Sequence, residues 1–105
     1  MRKSIKGTNH RPRLFVFKSN KHIYAQIIDD INHKILISSG SNSQKIKQRI
    51  KSSKNCETAQ IIGQDIAQKS QNNGIKEVIF DRGRKSYHGI IKALAEAARK
   101  EGMSF

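Results

Sequence analysis

The chain has 105 residues, with 21 Lys and Arg against 8 Asp and Glu, which gives a formal net charge of +13. A chain of this length forms one domain at most, and no apolar stretch is long enough to cross a bilayer or to form the core of a secretion signal, so we expect neither a membrane protein nor an exported one. The single cysteine, Cys56, excludes an internal disulfide and fits a reducing compartment.

The positive charge lies mainly in the first half of the chain. Residues 1–54 hold 13 basic residues and only two acidic ones, Asp29 and Asp30, for a net +11, whereas residues 55–105 hold 8 basic and 6 acidic residues for a net +2. So many positive charges repel one another unless a polyanion neutralises them, so nucleic acid is the first partner to consider. A membrane surface is the weaker alternative, because the cationic segments lack a bulky apolar face.

The first elements in chain order are predicted to be three strands of an antiparallel meander. Two β-rich runs at 13–17 and 22–29 flank a polar four-residue connection, which indicates a hairpin, and a third strand at 34–38 follows a turn at 30–33. Alternation of side chains places five aliphatic residues on a core face: Leu14, Val16, Ile23, Ala25 and Ile27. The opposite face is cationic, aromatic and polar, with Arg13, Phe15, Phe17, His22, Tyr24, Gln26 and Ile28.

The polar segment 39–54, in which Ile46 and Ile50 lie four residues apart, is predicted to be a loop or a short basic helical turn. The stripe formed by Ala59, Ile62, Ile66 and Ala67 then predicts an amphipathic helix at 56–72, ended by Gly74.

A strand at 77–80 and a last helix at 89–100, stopped by Gly102, complete the predicted order β-β-β-α-β-α. In the last helix, Ile91, Leu94, Ala95 and Ala98 are expected on the buried side. A strand, a helix and another strand imply a crossover, so the fourth strand can lie parallel to a meander strand while both helices cover the aliphatic face. The expected fold class is therefore α/β, more closely α+β.

The uncovered face of the sheet is the first candidate RNA site. Exposed RNA bases stack on aromatic and guanidinium planes, and this face offers both. The alternative is that the segment 39–54 covers Phe15, Phe17 and Tyr24, because large aromatic side chains prefer burial.

The basic N-terminal segment is the second candidate. Residues 1–12 are predicted to form a flexible basic arm, and residues 13–105 a single RNA-binding domain. Gly7 allows a bend, Pro12 excludes a regular helix, and the arm is expected to become ordered on binding phosphate. Its cations, together with the first residue of the domain, are Arg2, Lys3, Lys6, Arg11 and Arg13. The alternative is a solvated, disordered chain end.

The connection at 81–89, with the sequence DRGRKSYHG, is the third candidate. It combines the cations Arg82, Arg84 and Lys85 with a helix N-terminus, whose free N–H groups bind anions. Gly83 and Gly89 let the backbone approach a ligand closely, and Tyr87 or His88 is able to stack or to hydrogen-bond a ribose. The alternative is a purely structural connection.

Catalytic and metal sites are not expected. Asp81 and His88 are the one conceivable acid/base pair, but the sequence has no nucleophile elbow, phosphate loop or metal-ligand spacing. Its carboxylates do not cluster as those of a metal-dependent nuclease would. We therefore expect no enzyme, no cofactor, no metal and no small-molecule substrate, and we expect Asp81 to orient Arg82 or to accept from the backbone.

Two motifs resemble a known family. The segments GTNHRPRLFVFKSNKHIYAQIIDD (7–30) and EVIFDRGRKSYHGIIKALAEAARKEGMSF (77–105), with IGQDIAQKSQNNGI between them, are similar to the bacterial-type large-subunit ribosomal protein eighteen, the 5S rRNA carrier. The resemblance covers 7–105. It implies a mixed four-stranded sheet with two helices, and docking on 5S rRNA, which it links to large-subunit rRNA in the central protuberance. Neighbouring large-subunit proteins, such as protein five, are further implied partners.

The resemblance also assigns candidate RNA-binding residues by position. They are Thr8 and Arg11 in the arm, Arg13 directly after it, Ser19, Asn20, Lys21, His22 and Tyr24 at the hairpin, and Arg82, Gly83, Tyr87, His88 and Gly89 in the second motif. Lys6, Lys18, Arg84 and Lys85 complete the set as cations beside these motifs. The chain departs from the family at three places. Only six residues precede Gly7, where family members commonly have a longer basic extension. Lys85 stands where an aromatic residue is usual, and Ile90 stands where a basic residue is usual. These departures put one stacking contact and part of the phosphate contacts in question.

The composition of 16 Ile, 14 Lys and 7 Asn is typical of an AT-rich coding sequence. It favours one of two locations for the protein: a ribosome in the stroma of a plastid or chloroplast, or a ribosome in the cytoplasm of a low-GC bacterium. The alternative function is a free-standing basic RNA chaperone or regulator, and a metal-dependent nuclease is the third candidate.

Overall fold

Three strands, a helix, a short strand and a second helix follow one another along the chain. The computed structural model describes residues 7–8, 10–18, 22–42, 46, 56–81 and 89–105. The elements are β1 (Arg13–Lys18), β2 (Ile23–Asp29), β3 (Lys34–Gly40), α1 (Cys56–Asn72), β4 (Ile79–Asp81) and α2 (Ile90–Lys100). The predicted element order and the α+β class are confirmed.

The four strands form one mixed sheet in the order β3-β2-β1-β4. β2 is antiparallel to both β1 and β3, and β4 is parallel to β1, so the prediction that the fourth strand lies parallel to a meander strand is confirmed. The predicted core face is confirmed as well, because its five aliphatic residues on β1 and β2 are each at most 1% exposed. The alternation of side chains therefore predicted correctly which residues of β1 and β2 face the core.

The strand boundaries differ from the prediction by one or two residues. β1 includes Lys18, which pairs with Ile23, and β2 begins at Ile23 rather than at residue 22. β3 continues through Ser39 and Gly40, which were expected in the loop at 39–54, because they pair with Ala25 and Tyr24 of β2. Pairing with a neighbouring strand outweighs the low β propensity of a Ser-Ser-Gly run.

The remainder of the segment 39–54 is described only in part. Ser41 and Asn42 form a turn, and Ile46 is helical and 1% exposed, so one of the two isoleucines in this segment belongs to the core. Residues 43–45 and 47–54, which include Ile50, lie outside the described residues.

The two helices pack against each other, and α1 also packs on β2 and β3. The boundaries of α1 agree with the prediction, whereas α2 begins at Ile90, one residue later than predicted. The predicted stripes are buried, with Ala59, Ile62, Ile66 and Ala67 on α1 and Ile91, Leu94, Ala95 and Ala98 on α2. All of them except Ala95 belong to the same core cluster as the sheet residues. Each fully buried Ile or Leu side chain contributes roughly 1.5–3 kcal/mol of transfer free energy.

The fourth strand was predicted at 77–80, whereas β4 begins two residues later and ends one residue later, at Ile79–Asp81. Glu77 instead forms an isolated parallel bridge with Ser104, and only Ile79–Asp81 pair with β1. The N–H of Val78 donates to the Ser104 carbonyl at 3.0 Å, and the Ser104 N–H donates to the Lys76 carbonyl at 2.8 Å. The chain after α2 therefore satisfies the backbone before β4, which the local sequence could not indicate.

Candidate nucleic-acid interface

Three aromatic side chains form a continuous stack on the sheet face opposite the core. The ring centroids of Phe15 and Phe17 are 5.4 Å apart, and those of Phe17 and Tyr24 are 4.9 Å apart, with interplanar angles of 24° and 20°. All three side chains are half-buried. We call Phe15, Phe17 and Tyr24 the aromatic row. Their partial exposure leaves ring surface on which a planar base can stack.

The register of the sheet explains why these rings meet. Phe17 lies directly opposite Tyr24 on the neighbouring strand, and Phe15 precedes Phe17 by two residues on the same face. On the other side of Tyr24 lies Gly40, where a Cβ atom would come within 2.8 Å of Tyr24 Cδ1. The absence of a side chain at Gly40 therefore makes room for the tyrosine ring.

His22 stands at the end of the aromatic row, with its ring centroid 6.2 Å from that of Tyr24. Its Nδ1 lies 3.0 Å from the hydroxyl of Ser41, and the same hydroxyl accepts the Ile23 N–H at 2.9 Å. Ser41 is fully buried, and the contact with its hydroxyl holds the His22 ring in place. Sequence reasoning selected His22 and Tyr24 but missed Ser41, because a serine in a polar segment carries no signal of burial.

A polar cleft adjoins the aromatic row on the β3 side. It is lined by Tyr24, Gln26, Ser38, Ser39, Gly40, Asn42 and Lys69. The Lys69 ammonium lies 2.9 Å from a carboxylate oxygen of Asp65 and donates to the Ser38 carbonyl at 3.2 Å, while the Ser39 hydroxyl donates to Asp65 at 2.7 Å. Helix α1, which was expected to cover the aliphatic face, thus also contributes a cation beside the predicted RNA face.

Arg13, which the sequence assigned to phosphate binding, is held by two carboxylates. Its Nε and one terminal nitrogen donate to the two oxygens of Asp30 at 3.0 and 3.1 Å, and the other terminal nitrogen donates to Asp81 at 2.9 Å. The hydrogen bond to Asp30 raises the pKa of Arg13 above its usual value, partial burial opposes this, and the hydrogen bond to Asp81 adds to it. We call these three residues the arginine cluster.

The arginine cluster adjoins the aromatic row, since the guanidinium carbon of Arg13 lies 5.4 Å from the Phe15 ring centre. Asp81 is thereby a partner of Arg13, while Arg82 lies outside the described residues, so the expectation that Asp81 orients Arg82 or accepts from the backbone stays a prediction. Sequence reasoning missed the role of Asp30. The available signal was that Asp29 and Asp30 are the only acids in a half of the chain with net charge +11, and a rare acid among many cations commonly pairs.

The described part of the predicted arm is folded onto the sheet. Gly7 is buried, its N–H donates to Asp30 at 2.7 Å, and its carbonyl accepts the Asp30 N–H at 3.1 Å. Thr8 and Arg11 close a turn, in which the Thr8 hydroxyl accepts the Arg11 N–H at 3.1 Å. Pro12 is fully buried, and its carbonyl accepts the Ile79 N–H at 2.9 Å. Residues 1–6 lie outside the described residues, and the flexible arm stays a prediction.

The remaining candidates are placed as follows. Lys18 and Arg11 are exposed, and Gly89 precedes α2 with a φ of 60°. Ten of the predicted RNA-binding residues lie outside the described part of the chain: Lys6, Ser19, Asn20, Lys21, Arg82, Gly83, Arg84, Lys85, Tyr87 and His88. Among the candidates that are described, His22, Tyr24 and Arg13 lie on the same face of the sheet as the aromatic row.

The described residues also bear on metal binding and on membrane crossing. Within those ranges, no three His, Cys, Asp or Glu side chains come together as a metal-binding group. In the same part of the chain, no helix has both the length and the apolar character needed to cross a membrane.

Comparison with known proteins identifies relatives along the entire chain. Residues 1–105 match the family described as ribosomal L18 of archaea, bacteria, mitochondria and chloroplast. The large ribosomal subunit protein uL18c of Gracilaria tenuistipitata var. liui is 60% identical over 105 residues, which cover 100% of both chains. The proteins uL18c of Pyropia yezoensis and uL18 of Trichodesmium erythraeum are each 50% identical over 100% of this chain and 88% of their own. The resemblance predicted from the two motifs is confirmed, and the chain belongs to the ribosomal L18 family.

Proposed function

We propose that this protein is a structural constituent of the large ribosomal subunit, that it binds 5S rRNA, and that it helps to attach 5S rRNA to large-subunit rRNA in the central protuberance. The observation that carries the proposal is the family match over residues 1–105. Proteins of this family are structural rather than catalytic. Its relatives are of chloroplast type and bacterial, so the expected location is the ribosome of a plastid or of a bacterium.

The physical support for RNA contact lies on the sheet face that carries the aromatic row. The aromatic row supplies half-buried rings for base stacking, and the chain carries a net charge of +13 for phosphate contacts. Charge alone attracts any polyanion, whereas rings held at defined positions favour RNA with unstacked bases. This combination is what a protein that docks on a folded rRNA requires.

Titration of purified protein with 5S rRNA at several salt concentrations tests the proposal. If about 6 phosphates are neutralised, the logarithm of the binding constant falls against the logarithm of salt with a slope of roughly −4 to −5. An unrelated RNA duplex of the same length is the control. Equal affinity for both RNAs at every salt concentration would refute specific recognition of 5S rRNA.

Replacement of Tyr24 by alanine tests the aromatic row. Loss of one base stack costs about 1–3 kcal/mol, so we expect the dissociation constant for 5S rRNA to rise about 5-fold to 150-fold. The matched control is Tyr24→Phe, which retains the ring and is expected to bind as the wild-type protein does. A folded Tyr24→Ala variant with undiminished affinity but lower unfolding free energy would assign the ring to packing.

Co-sedimentation distinguishes this role from that of a free-standing RNA chaperone. A subunit constituent remains with intact large subunits through a gradient at moderate salt, whereas a free regulator stays in the light fractions. Recovery of the protein only in the light fractions would contradict the proposal, even if the purified protein binds 5S rRNA.

A further inference from the structure

The polar cleft lies on the side of Tyr24 that faces away from Phe17. Phe17 stacks on the tyrosine ring from β1, whereas the cleft extends from the ring toward β3. Its volume is about 360 Å³, within the range of about 300–1,000 Å³ that small-ligand pockets occupy. The cleft therefore has room for one planar base stacked on the second face of Tyr24.

Gly40 keeps the space beside Tyr24 clear, because it lies directly opposite this residue on the neighbouring strand. A Cβ atom at Gly40 would be 2.8 Å from Tyr24 Cδ1 and 2.7 Å from Asn42 Oδ1. The tyrosine ring and the Asn42 amide thus meet above a residue that has no side chain. A base that stacks on the ring comes within reach of that amide.

Two side-chain amides in the cleft, those of Gln26 and Asn42, offer both hydrogen-bond donors and acceptors. Gln26 is half-buried and lies two residues after Tyr24 on the same face of β2, and Asn42 is exposed. In the part of the chain that the structure describes, neither amide is engaged in a hydrogen bond. Side-chain amides are well suited to reading the edge of a base, because they match its donors and acceptors.

Lys69 reaches the cleft from α1 and is held there by two contacts. Its ammonium group lies 2.9 Å from the Asp65 carboxylate and donates to the Ser38 carbonyl at 3.2 Å, which uses two of its three N–H donors. Lys69 is 42% exposed and Asp65 is 7% exposed, so the third donor is accessible to a ligand in the cleft. The pair is formally neutral, which offsets attraction to a phosphate and favours a neutral acceptor such as a base carbonyl oxygen.

We propose that the polar cleft binds one unstacked base of rRNA, which stacks on Tyr24 and whose edge is hydrogen-bonded by Gln26, Asn42 and Lys69. This inference rests on the proposed function and deepens it, because it assigns base recognition to a defined site that includes a residue of α1. The competing explanation is that Lys69 only covers the edge of β3, as lysines at sheet edges commonly do. That explanation predicts no contact between the cleft and a base.

Titration of the labelled wild-type protein with short RNAs, followed by NMR, tests the cleft without 5S rRNA. The probe is a three-residue RNA with one base between two abasic sugars, made with each of the four RNA bases. The control is the fully abasic RNA, which carries the same phosphates. We expect at least one base to shift the signals of the Gly40 amide and of the Gln26 and Asn42 side chains, and the abasic RNA to leave them unchanged. Absence of these shifts for all four bases, or equal shifts with the abasic RNA, overturns the proposal.

The variant Lys69→Met removes the ammonium group and retains an unbranched side chain. The matched control is Lys92→Met, which loses the same charge from a lysine that also faces a carboxylate one helical turn away, Glu96 at 3.9 Å. We expect the dissociation constant for 5S rRNA to be about fivefold higher for Lys69→Met than for the control, the effect of one lost hydrogen bond. The salt slopes of the two variants should be equal, whereas a phosphate contact by Lys69 would make the slope of its variant shallower by about one.

The outcomes separate the base site from the proposed function. Equal affinity of folded Lys69→Met and Lys92→Met overturns the base contact of Lys69, and so does the shallower salt slope. Should Lys69→Met not fold, Gln26→Ala decides, with about fivefold weaker binding of 5S rRNA expected relative to Gln60→Ala, a change at an exposed position of α1; equal affinity of these two variants overturns the base site. Failure of the wild-type protein to bind 5S rRNA defeats the proposed function alone, and the titration with short RNAs then decides whether the cleft binds a base.

Discussion

Substitution of Gly63 by alanine should destabilise the protein, although alanine is the better helix former. Gly63 lies in the middle of α1 and faces α2, and a Cβ atom there would overlap the Leu94 carbonyl oxygen and lie 3.0 Å from Ala97 Cβ and 3.2 Å from the Ala98 nitrogen. Two of these three atoms belong to backbone that cannot rotate away. Relief therefore requires a shift of α2, whose inner face is buried in the core.

The magnitude follows from two opposing contributions. Helix propensity favours alanine over glycine by about 1 kcal/mol in a helix interior. Overpacking of a close-packed contact costs about 1–3 kcal/mol, and the upper value applies here because the nearest atom is a backbone carbonyl oxygen. The expected net loss in unfolding free energy is about 2 kcal/mol.

Urea unfolding followed by far-ultraviolet circular dichroism measures this loss. The control is Gln60→Ala on the exposed side of α1, where the change should stay within about 0.5 kcal/mol. A Gly63→Ala variant as stable as the wild-type protein, or more stable, with an unchanged denaturant slope would refute the close helix contact.

Two further predictions concern the turn after β2 and the surroundings of the aromatic row. The hydrogen bond from the Asn32 side chain, supported by the N–H groups of Asn32 and Ile31, holds the pKa of Asp29 below its usual value of 3.8. A carboxyl group with a lowered folded-state pKa stabilises the protein above its unfolded value and loses that contribution as the pH falls through the folded value. Asp29→Asn should therefore be less stable than wild type at pH 7, and thermal unfolding should show this gap narrowing as the pH falls below about 4; a gap that stays constant with pH would contradict the assignment. In Gly40→Ala, the new Cβ would come within 2.7 Å of Asn42 Oδ1 and 2.8 Å of Tyr24 Cδ1, so the tyrosine ring should move. We expect altered near-ultraviolet circular dichroism and weaker binding of 5S rRNA, and unchanged values of both would show that the ring tolerates a methyl group there.

Local pattern was sufficient for the elements whose signal is periodic. The stripe from Ala59 to Ala67 predicted the ends of α1 at Cys56 and Asn72, because a helix buries one face at a spacing that can be counted. The alternation in β1 and β2 likewise separated the core face from the aromatic face. Local pattern failed at β3 and β4, where Ser39 and Gly40 are strand residues because β2 pairs with them, and Glu77 pairs with Ser104 far along the chain.

Some residues of the candidate interface could likewise be predicted from local pattern, and others could not. His22, Tyr24 and the row of phenylalanines were identified from residue type and alternation, since both act within a few residues. Ser41 beneath His22 and Lys69 beside Tyr24 were not, because their positions depend on contacts between elements. Arg13 was selected for its charge, but its two carboxylate partners lie 17 and 68 residues away.

The amino-acid sequence by itself determined the polyanionic partner, the family and the element order, because net charge, motif and periodicity are properties of the chain read in one dimension. Only the tertiary structure decided which of the described cations are paired with carboxylates within the fold. The physical reason is that a charge acts over a few ångströms of space rather than over a number of residues, and folding brings Asp30 and Asp81 to the guanidinium of Arg13.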